Sequence, residues 1–338
     1  MNDIFSQLPG LLLPWYEKNR RELPWRQDKE PYHVWLSEIM LQQTRVEAVK
    51  GYYARFLEAL PTATDLAEAS EETLYKLWEG LGYYTRVRNL QKAARQIVEL
   101  HNGRFPTSYD DIRALAGIGD YTAGAICSIC FDLPTPAVDG NVLRVCTRLT
   151  LDPSPIDKPA TKKALTEALA AVYPKESGTF TQALMELGAT VCVPNGAPKC
   201  EACPLSSICL AHKKSAETAY PVKAQKKARR IKEMTVLLLH EGDSFALRKR
   251  PKTGLLAGLW EFPHLDGKHT VEDVLAQLEQ AGVCVLDVEK TVEKVHIFTH
   301  IEWHMTGIFL ACRQGGGYTW GKPSDYALPT AFRIFLDE

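Results

Sequence analysis

Four cysteines within one short stretch, Cys192, Cys200, Cys203 and Cys209, sit in C-VPNGAPK-C-EA-C-PLSSI-C, separated by seven, two and five residues. A four-thiolate set binds either one zinc ion or an iron–sulfur cluster. Zinc ribbons pair two C-x-x-C knuckles, and here only Cys200 and Cys203 form one. A wide gap, a tight pair and a medium gap suit a cubane cluster wrapped by a single loop, so the spacing favours iron–sulfur over zinc. Two disulfides are the bland alternative. An odd count of nine cysteines and the lack of any mark of an oxidising compartment speak against it.

Two carboxylates have the types that glycosidic cleavage needs. Glu38 lies in HVWLSEIMLQQTRVE, beside the apolar Trp35, Ile39, Met40 and Leu41. Most helical glutamates are solvated, but a carboxyl among such neighbours has a raised pKa. Asp139 lies in TPAVDGNVLRV, where an Asp before Gly reads most simply as turn chemistry or a helix N-cap. One raised carboxyl and one ionised carboxylate form the acid/base pair that glycosidic cleavage needs. Upstream, LAGIGDYTAGA at 115–125 places Gly117 and Gly119 between two helical segments. That is the hairpin of a helix–hairpin–helix element, whose amides at a helix N-terminus can cradle a DNA phosphate without reading sequence.

The elements that must position these groups are mostly helical up to about residue 212. VWLSEIMLQQTRVEAVKGYYARFLEALP reads as one helical stretch ending at Pro61, and Asp65–Leu77, Arg86–Leu100 and Thr161–Tyr173 read as further amphipathic helices. HKKSAETAYPVKAQKKARR has no apolar period and reads as a basic connector over 213–231, with Lys213, Lys214, Lys223, Lys226, Lys227, Arg229, Arg230 and Lys232 in or beside it. Beyond it, MTVLLLH and SFALRKR are strands joined at EGD, VEDVLAQLEQAG is a helix, and HIFTHIEWHMTGIFLACR alternates as a strand. The expected architecture is multidomain: an all-α domain over 1–212 and an α+β domain over 232–338.

The 338 residues are 45% hydrophobic and 24% charged, a globular mixture with room for two domains. The N-terminal stretch lacks a basic n-region, and no run approaches the length of a membrane span, so a cytoplasmic protein without a membrane partner is expected. A net charge of −1 argues mildly against nucleic acid, although an average hides local basic clusters.

The hairpin, the downstream VDGNV aspartate and the four-cysteine loop occur in the same order in the helix–hairpin–helix DNA glycosylases that carry a 4Fe-4S cluster. The chain resembles the adenine-excising (MutY) branch of that family, related to endonuclease III, over essentially its whole length. LPWR at 23–26, SEIMLQQTRV at 37–46, GLGYYTRVRNL at 80–90 and VDGNV at 138–142 carry the resemblance. Endonuclease III-type enzymes place a Lys nucleophile where this chain has Tyr121, and a phenol cannot form a Schiff base. The resemblance therefore implies base removal without an obligatory lyase step. It implies that Glu38 protonates a flipped adenine, that Asp139 stabilises the oxocarbenium sugar, that Asn141 orients Asp139, and that Tyr121 packs beside the sugar. Trp25, Arg26 and Gln182 are implied to line the adenine pocket, Gln43 and Tyr83 to act on the opposite strand, and the four cysteines to hold one 4Fe-4S cluster. The implied partner is double-stranded DNA with adenine opposite 8-oxoguanine or guanine, bound by a monomer. Two departures stand out: seven rather than six residues separate the first two cluster cysteines, and Ala116 replaces a hairpin proline.

The second domain resembles the Nudix-like (MutT-like) domain of the same family through RKRPKTGLLAGLWEFPHL at 248–265. The metal-binding carboxylates of Nudix hydrolases are missing, so pyrophosphate hydrolysis is not expected. The resemblance implies an 8-oxoguanine reader at Phe298, Thr299 and His300, where the family has Phe-Ser-His; read alone, that tripeptide is an ordinary strand edge. Cys127 and Cys130, in an apolar helix, and Cys146, Cys284 and Cys312 read as small packed hydrophobes. The alternative activities are an oxidised-pyrimidine glycosylase with lyase action and a non-catalytic, cluster-bearing DNA sensor.

Overall fold

In chain order the N-terminal helices are α1 (Asn2–Phe5), α2 (Leu8–Asn19), α3 (Pro31–Leu41), α4 (Val46–Ala59), α5 (Ala63–Glu68), α6 (Glu71–Leu77), α7 (Thr85–His101), α8 (Tyr109–Ala114), α9 (Asp120–Phe131), α10 (Gly140–Thr150), α11 (Pro159–Ala170), α12 (Ser177–Thr190) and α13 (Leu210–Lys213). The computed structural model describes residues 2–224 and 228–336. Its contacts separate residues 1–68 with 88–225 from residues 69–87 with 226–338.

Two central helices position the first unit's chemistry. Val34–Met40 of α3 and Thr122–Ile129 of α9 are buried without interruption. A helix apolar on every side belongs inside a bundle. Polar side chains on such helices lose water, which is the condition that makes Glu38 unusual. The hairpin between α8 and α9 depends on glycine. Gly117 has φ +74°, and a Cβ there would lie 2.6 Å from Asn89 Cβ. Gly119 is the N-cap of α9. Ala116, which replaces a proline, uses the N–H that proline lacks: it donates to Gln96 Oε1 at 2.8 Å.

The structure corrects three readings along the first 231 residues. The long helix expected up to Pro61 breaks at 42–45 into α3 and α4, with Gln43 at φ +59°. Glutamine is a good helix former, so composition carried no sign of the break. The helix expected over Asp65–Leu77 is two, because Ser70 caps α6 by accepting from Thr73 N. The connector expected over 213–231 is largely folded in its first half. Tyr220 O accepts from Arg148 Nε at 2.9 Å, and Val222 O accepts from Ile156 N at 3.0 Å. Lys226 and Lys227 of the basic run lie outside the described residues. Residues 69–87 also group with the C-terminal residues, an association that no local pattern announces: Arg333 Nη2 lies 2.7 Å from Glu79 Oε1, and Tyr75 packs beneath Gly258.

The second unit is a mixed sheet of β1 (Arg230–Glu241), β2 (Ser244–Lys249), β3 (Trp260–Glu261), β4 (His264–Asp266), β5 (Val285–Ile297), β6 (Ile301–Cys312) and β7 (Thr319–Gly321), with α14 (Val271–Gln280) and α15 (Thr330–Arg333). The strand order is β3-β2-β1-β6-β5, with β4 added to β1 and β7 to β2. β1 runs parallel to β6, and β5 forms the sheet's outer edge on β6. Met234, Val236 and Leu238 of β1 pack towards Phe332, while Leu237 and Leu239 pack towards Val274 and Leu278 of α14. Both faces of β1 are covered, so its sequence is a continuous apolar run. The segment expected as a single strand, HIFTHIEWH, is instead a hairpin: β5 ends at Ile297, Phe298–His300 form the turn, and β6 begins at Ile301. Cys284 is exposed, not packed, because it lies in the turn after α14.

Candidate active site and cysteine cradle

Eight of the sequence-derived residues line one cavity of about 640 Å³ in the first unit: Trp25, Arg26, Glu38, Gln43, Tyr121, Asp139, Asn141 and Gln182. Glu38 comes from α3 and Tyr121 from the first turn of α9. Tyr121 donates its hydroxyl to Glu38 Oε2 at 2.5 Å. Burial pushes the Glu38 carboxyl up to about 7; the Tyr121 hydrogen bond opposes this, the Asp139 charge adds to it, and Arg26 opposes it. Burial, followed by the Glu38 and Asp139 charges, pushes the Tyr121 phenol well above its ordinary range. Tyr121 therefore stays a neutral donor.

Asp139 takes the helix-capping position that its sequence context suggests. It is the N-cap of α10, accepting from Val142 N at 2.8 Å through Oδ1, while Oδ2 accepts from Asn141 Nδ2 at 2.7 Å. Burial raises its carboxyl, and the Val142 amide, Asn141 and Arg144 hold it down. Two donors on Asp139 against one on Glu38 distinguish the two carboxyls: burial carries Glu38 up to about 7, while the Val142 amide and Asn141 restrain the rise of Asp139.

Several residues that build the site carried no sequence signal. Glu186 of α12 is fully buried and accepts from Arg21 Nε at 2.7 Å, Arg21 Nη2 at 2.9 Å and Arg26 Nη2 at 2.9 Å. Tyr16 donates to Gln182 Oε1 at 3.0 Å. Arg144 reaches Asn141 Oδ1 at 2.8 Å, Gly188 O at 2.7 Å and Cys192 O at 2.8 Å. Except for Asn141 and Arg144, these partners lie far apart in sequence, and no local pattern announces them.

Cys192, Cys200, Cys203 and Cys209 line a second cavity, walled by Leu149, Leu187, Val191 and Leu205. All four are free and half-buried. Arg148 Nη1 donates to Cys192 Sγ at 3.2 Å. Burial pushes the Cys200 thiol up to about 11 and the Cys203 thiol up to about 12. Four sulfurs on one apolar wall beside a guanidinium match the donor set of an anionic thiolate cluster. Between the first two cysteines the chain turns through the exposed residues 194–197, where Gly196 has φ +74°, and Lys199 N returns to Val191 O at 3.0 Å. Cys200, His212 and Glu217 also form a mixed set with ligand atoms within 4.8 Å of one another.

The second unit brings the other named residues together. Phe298 packs its ring on Trp303 at 4.8 Å and on His296 at 4.6 Å. Thr299 Oγ1 and Tyr83 Oη are 2.9 Å apart. Tyr83, at φ +47°, is 50% exposed at the tip of the 80–83 turn. Arg86 Nη2 donates to Leu81 O at 2.9 Å and stiffens that turn. Among the described residues, no helix is long and apolar enough to cross a membrane.

Residues 36–171 match the family model of the HhH-GPD superfamily base excision DNA repair proteins, and residues 234–338 match a NUDIX domain. The chain is 36% identical to the adenine DNA glycosylase of Rattus norvegicus, covering 86% of this chain and 68% of that protein. It is 38% identical to that of Arabidopsis thaliana over 94% of this chain, and spans 60% of the length of that relative. With the adenine DNA glycosylase of Buchnera aphidicola the identity is 33%, over 90% of this chain and 85% of the relative. A thermostable thymine-DNA glycosylase superposes with a TM-score of 0.58 at 28% identity, covering 63% of this chain and 98% of that one. A trapped endonuclease III–DNA covalent intermediate shares the fold, with a TM-score of 0.53 at 24% identity over 62% of this chain and 98% of that one.

Proposed function

The chain belongs to the adenine DNA glycosylase family of base excision repair enzymes, and from that premise we propose that it excises adenine opposite 8-oxoguanine or guanine in duplex DNA. The observation that carries this reading is the pairing of Glu38, raised to about 7, with a capped and hydrogen-bonded Asp139 in one cavity. The adenine leaves the stack to enter the cavity. Glu38 gives its proton to the departing base, and Asp139 answers the positive charge that grows on the sugar. Asn141 holds Asp139, Tyr121 holds Glu38, and Trp25, Arg26 and Gln182 contact the base. Gln43 and Tyr83 act on the opposite strand. The amides at Gly117 and Gly119 take a backbone phosphate.

Cys192, Cys200, Cys203 and Cys209 are the residues that would hold a 4Fe-4S cluster. When bound, it would supply a rigid crosslink of the loop 192–209. Tyr121 offers no amine, so the product is an abasic strand left intact until alkali is added.

The direct test is single-turnover excision from duplexes with adenine opposite 8-oxoguanine and opposite guanine. Excision with a higher rate opposite 8-oxoguanine is expected. Replacing Phe298, Thr299 and His300 together should collapse that ratio by at least about tenfold, whereas Thr299→Ala alone should cost about 1 kcal/mol, the usual worth of one neutral hydrogen bond. A triple variant with the parental ratio removes the reader role from this turn.

Gly188 tests the positioning of Asp139. A Cβ at Gly188 would stand 2.6 Å from Asn141 Cβ. Gly188→Ala is expected to lower excision by about 10²-fold through displacement of Asn141 and Asp139. It should also cost about 1–3 kcal/mol of stability. Excision rate and thermal midpoint together check it: parental excision refutes the positioning role of Asn141.

A further inference from the structure

Glu186 was singled out by no motif, yet it is the buried carboxylate around which one wall of the cavity is organised. Its side chain is fully buried on α12. Oε1 accepts from Arg21 N at 3.1 Å and Arg21 Nε at 2.7 Å, and Oε2 from Arg21 Nη2 at 2.9 Å and Arg26 Nη2 at 2.9 Å. Arg26 lies over the Tyr16 ring at 5.6 Å, and its side chain is only 15% exposed. Arg21, Arg26, Glu38 and Glu186 all line the same cavity. The Arg26 guanidinium favours the ionised form of Glu38, Arg21 adds a second cation to the same cavity, and one carboxylate shared between the two arginines offsets half of that charge.

We propose that Glu186 is a positioning residue that clamps Arg26 against the cavity wall and, by offsetting the Arg21 and Arg26 charges, keeps Glu38 protonated at neutral pH. The inference rests on the reading of Glu38 as general acid. The groups facing Glu38 are Tyr121 and Cys130 on α9, Asp139 at the start of α10 and Arg26 in the 3₁₀ turn Pro24–Arg26. Lys162 of α11 adds a cation to the cavity lining. Burial raises Glu38 and Arg26 opposes that rise. An acid with a raised pKa is active below that value and lost above it, so excision falls as pH rises through about 7. Removing the Glu186 charge leaves Arg26 uncompensated, and the alkaline limb moves to lower pH.

The experiment is the pH profile of single-turnover excision for the full chain, with Glu186→Gln, Arg21→Met and the double variant. Glu186→Gln is expected to move the alkaline limb down by about one pH unit, giving a rate about tenfold lower on that limb with a smaller change on the acid plateau. Arg21→Met should move it up, and the double variant should return towards the parent, because it restores the charge balance. A limb that stays in place in Glu186→Gln, or an equal loss at every pH, overturns the proposal. If Glu186→Gln does not fold, Arg21→Met decides: an unmoved limb overturns the proposal. Glu38→Gln separates this from the underlying reading. If that variant keeps the parental rate and limb, Glu38 is not the acid, and this inference falls with it.

Discussion

Asp139→Asn and Glu38→Gln are each expected to lower single-turnover excision by about 10²–10³-fold or more while leaving mispair binding largely intact. The two losses have different causes and different signatures. Asn at 139 still accepts from Val142 N and still caps α10, so the helix survives. What disappears is the negative charge that meets the cationic sugar, worth on the order of 3 kcal/mol or more in a site shielded from water. Gln at 38 keeps the shape but has no proton to give. Its residual rate should lose the alkaline limb near 7 that Glu38 imposes. Stability should move the opposite way. The folded pKa of Glu38 lies above its ordinary 4.5, so ionisation of the folded state costs free energy as pH rises from about 4.5 through about 7. Glu38→Gln removes that cost, and its thermal midpoint should exceed the parent's above neutrality. Near-parental excision in either variant withdraws the role assigned to that residue.

Cys200→Ser is expected to have the second large effect. The parent, purified without oxygen, should be yellow-brown with about four irons per chain. The serine variant should lose most of that iron, show poor solubility, and bind duplex DNA at least about tenfold more weakly. The reason is local. The loop 192–209 has only short 3₁₀ structure, and its cysteines are half-buried against Leu149, Leu187 and Leu205. Its backbone hydrogen bonds are mostly short turns, with anchors at Leu187 O, Val191 O, Arg144 and Arg148, so a metal held by four of its side chains would contribute folding free energy there. Stoichiometric zinc with no iron would reverse the assignment and draw attention to His212 and Glu217 beside Cys200.

Legibility in the sequence followed the range of the interaction. Glu38 was readable because its own helix supplies the apolar neighbours Trp35 and Ile39 that desolvate it. Asp139 was readable as a helix cap from VDGNV, while its place beside Glu38 in the cavity was not. Gly117 was readable because the turn's backbone needs it. Gln43 was named only through resemblance, as the helix break that brings it to the cavity leaves no mark in a run of good helix formers. Glu186 looked like any mid-helix glutamate, because its two arginines lie about 160 residues away. The packing of residues 69–87 with the C-terminal residues was invisible for the same reason: Arg333 and Glu79 come from opposite parts of the chain.

The outer position of β5 has a consequence for handling the protein. A long edge strand with unpaired amides on one side is a template for another chain's strand. β5 is 13 residues long, and Leu286, Val295 and Ile297 are exposed on it. Its remaining exposed positions include Asp287, Glu289, Lys290 and Glu293, which place charge along that edge, and its pairing with β6 has register shifts between Val285 and Asp287 and between Val288 and Lys290. Charge and irregularity are the devices by which natural sheets resist intermolecular strand addition. Substitutions that neutralise Glu289 and Glu293 would therefore show themselves first as self-association and turbidity on storage.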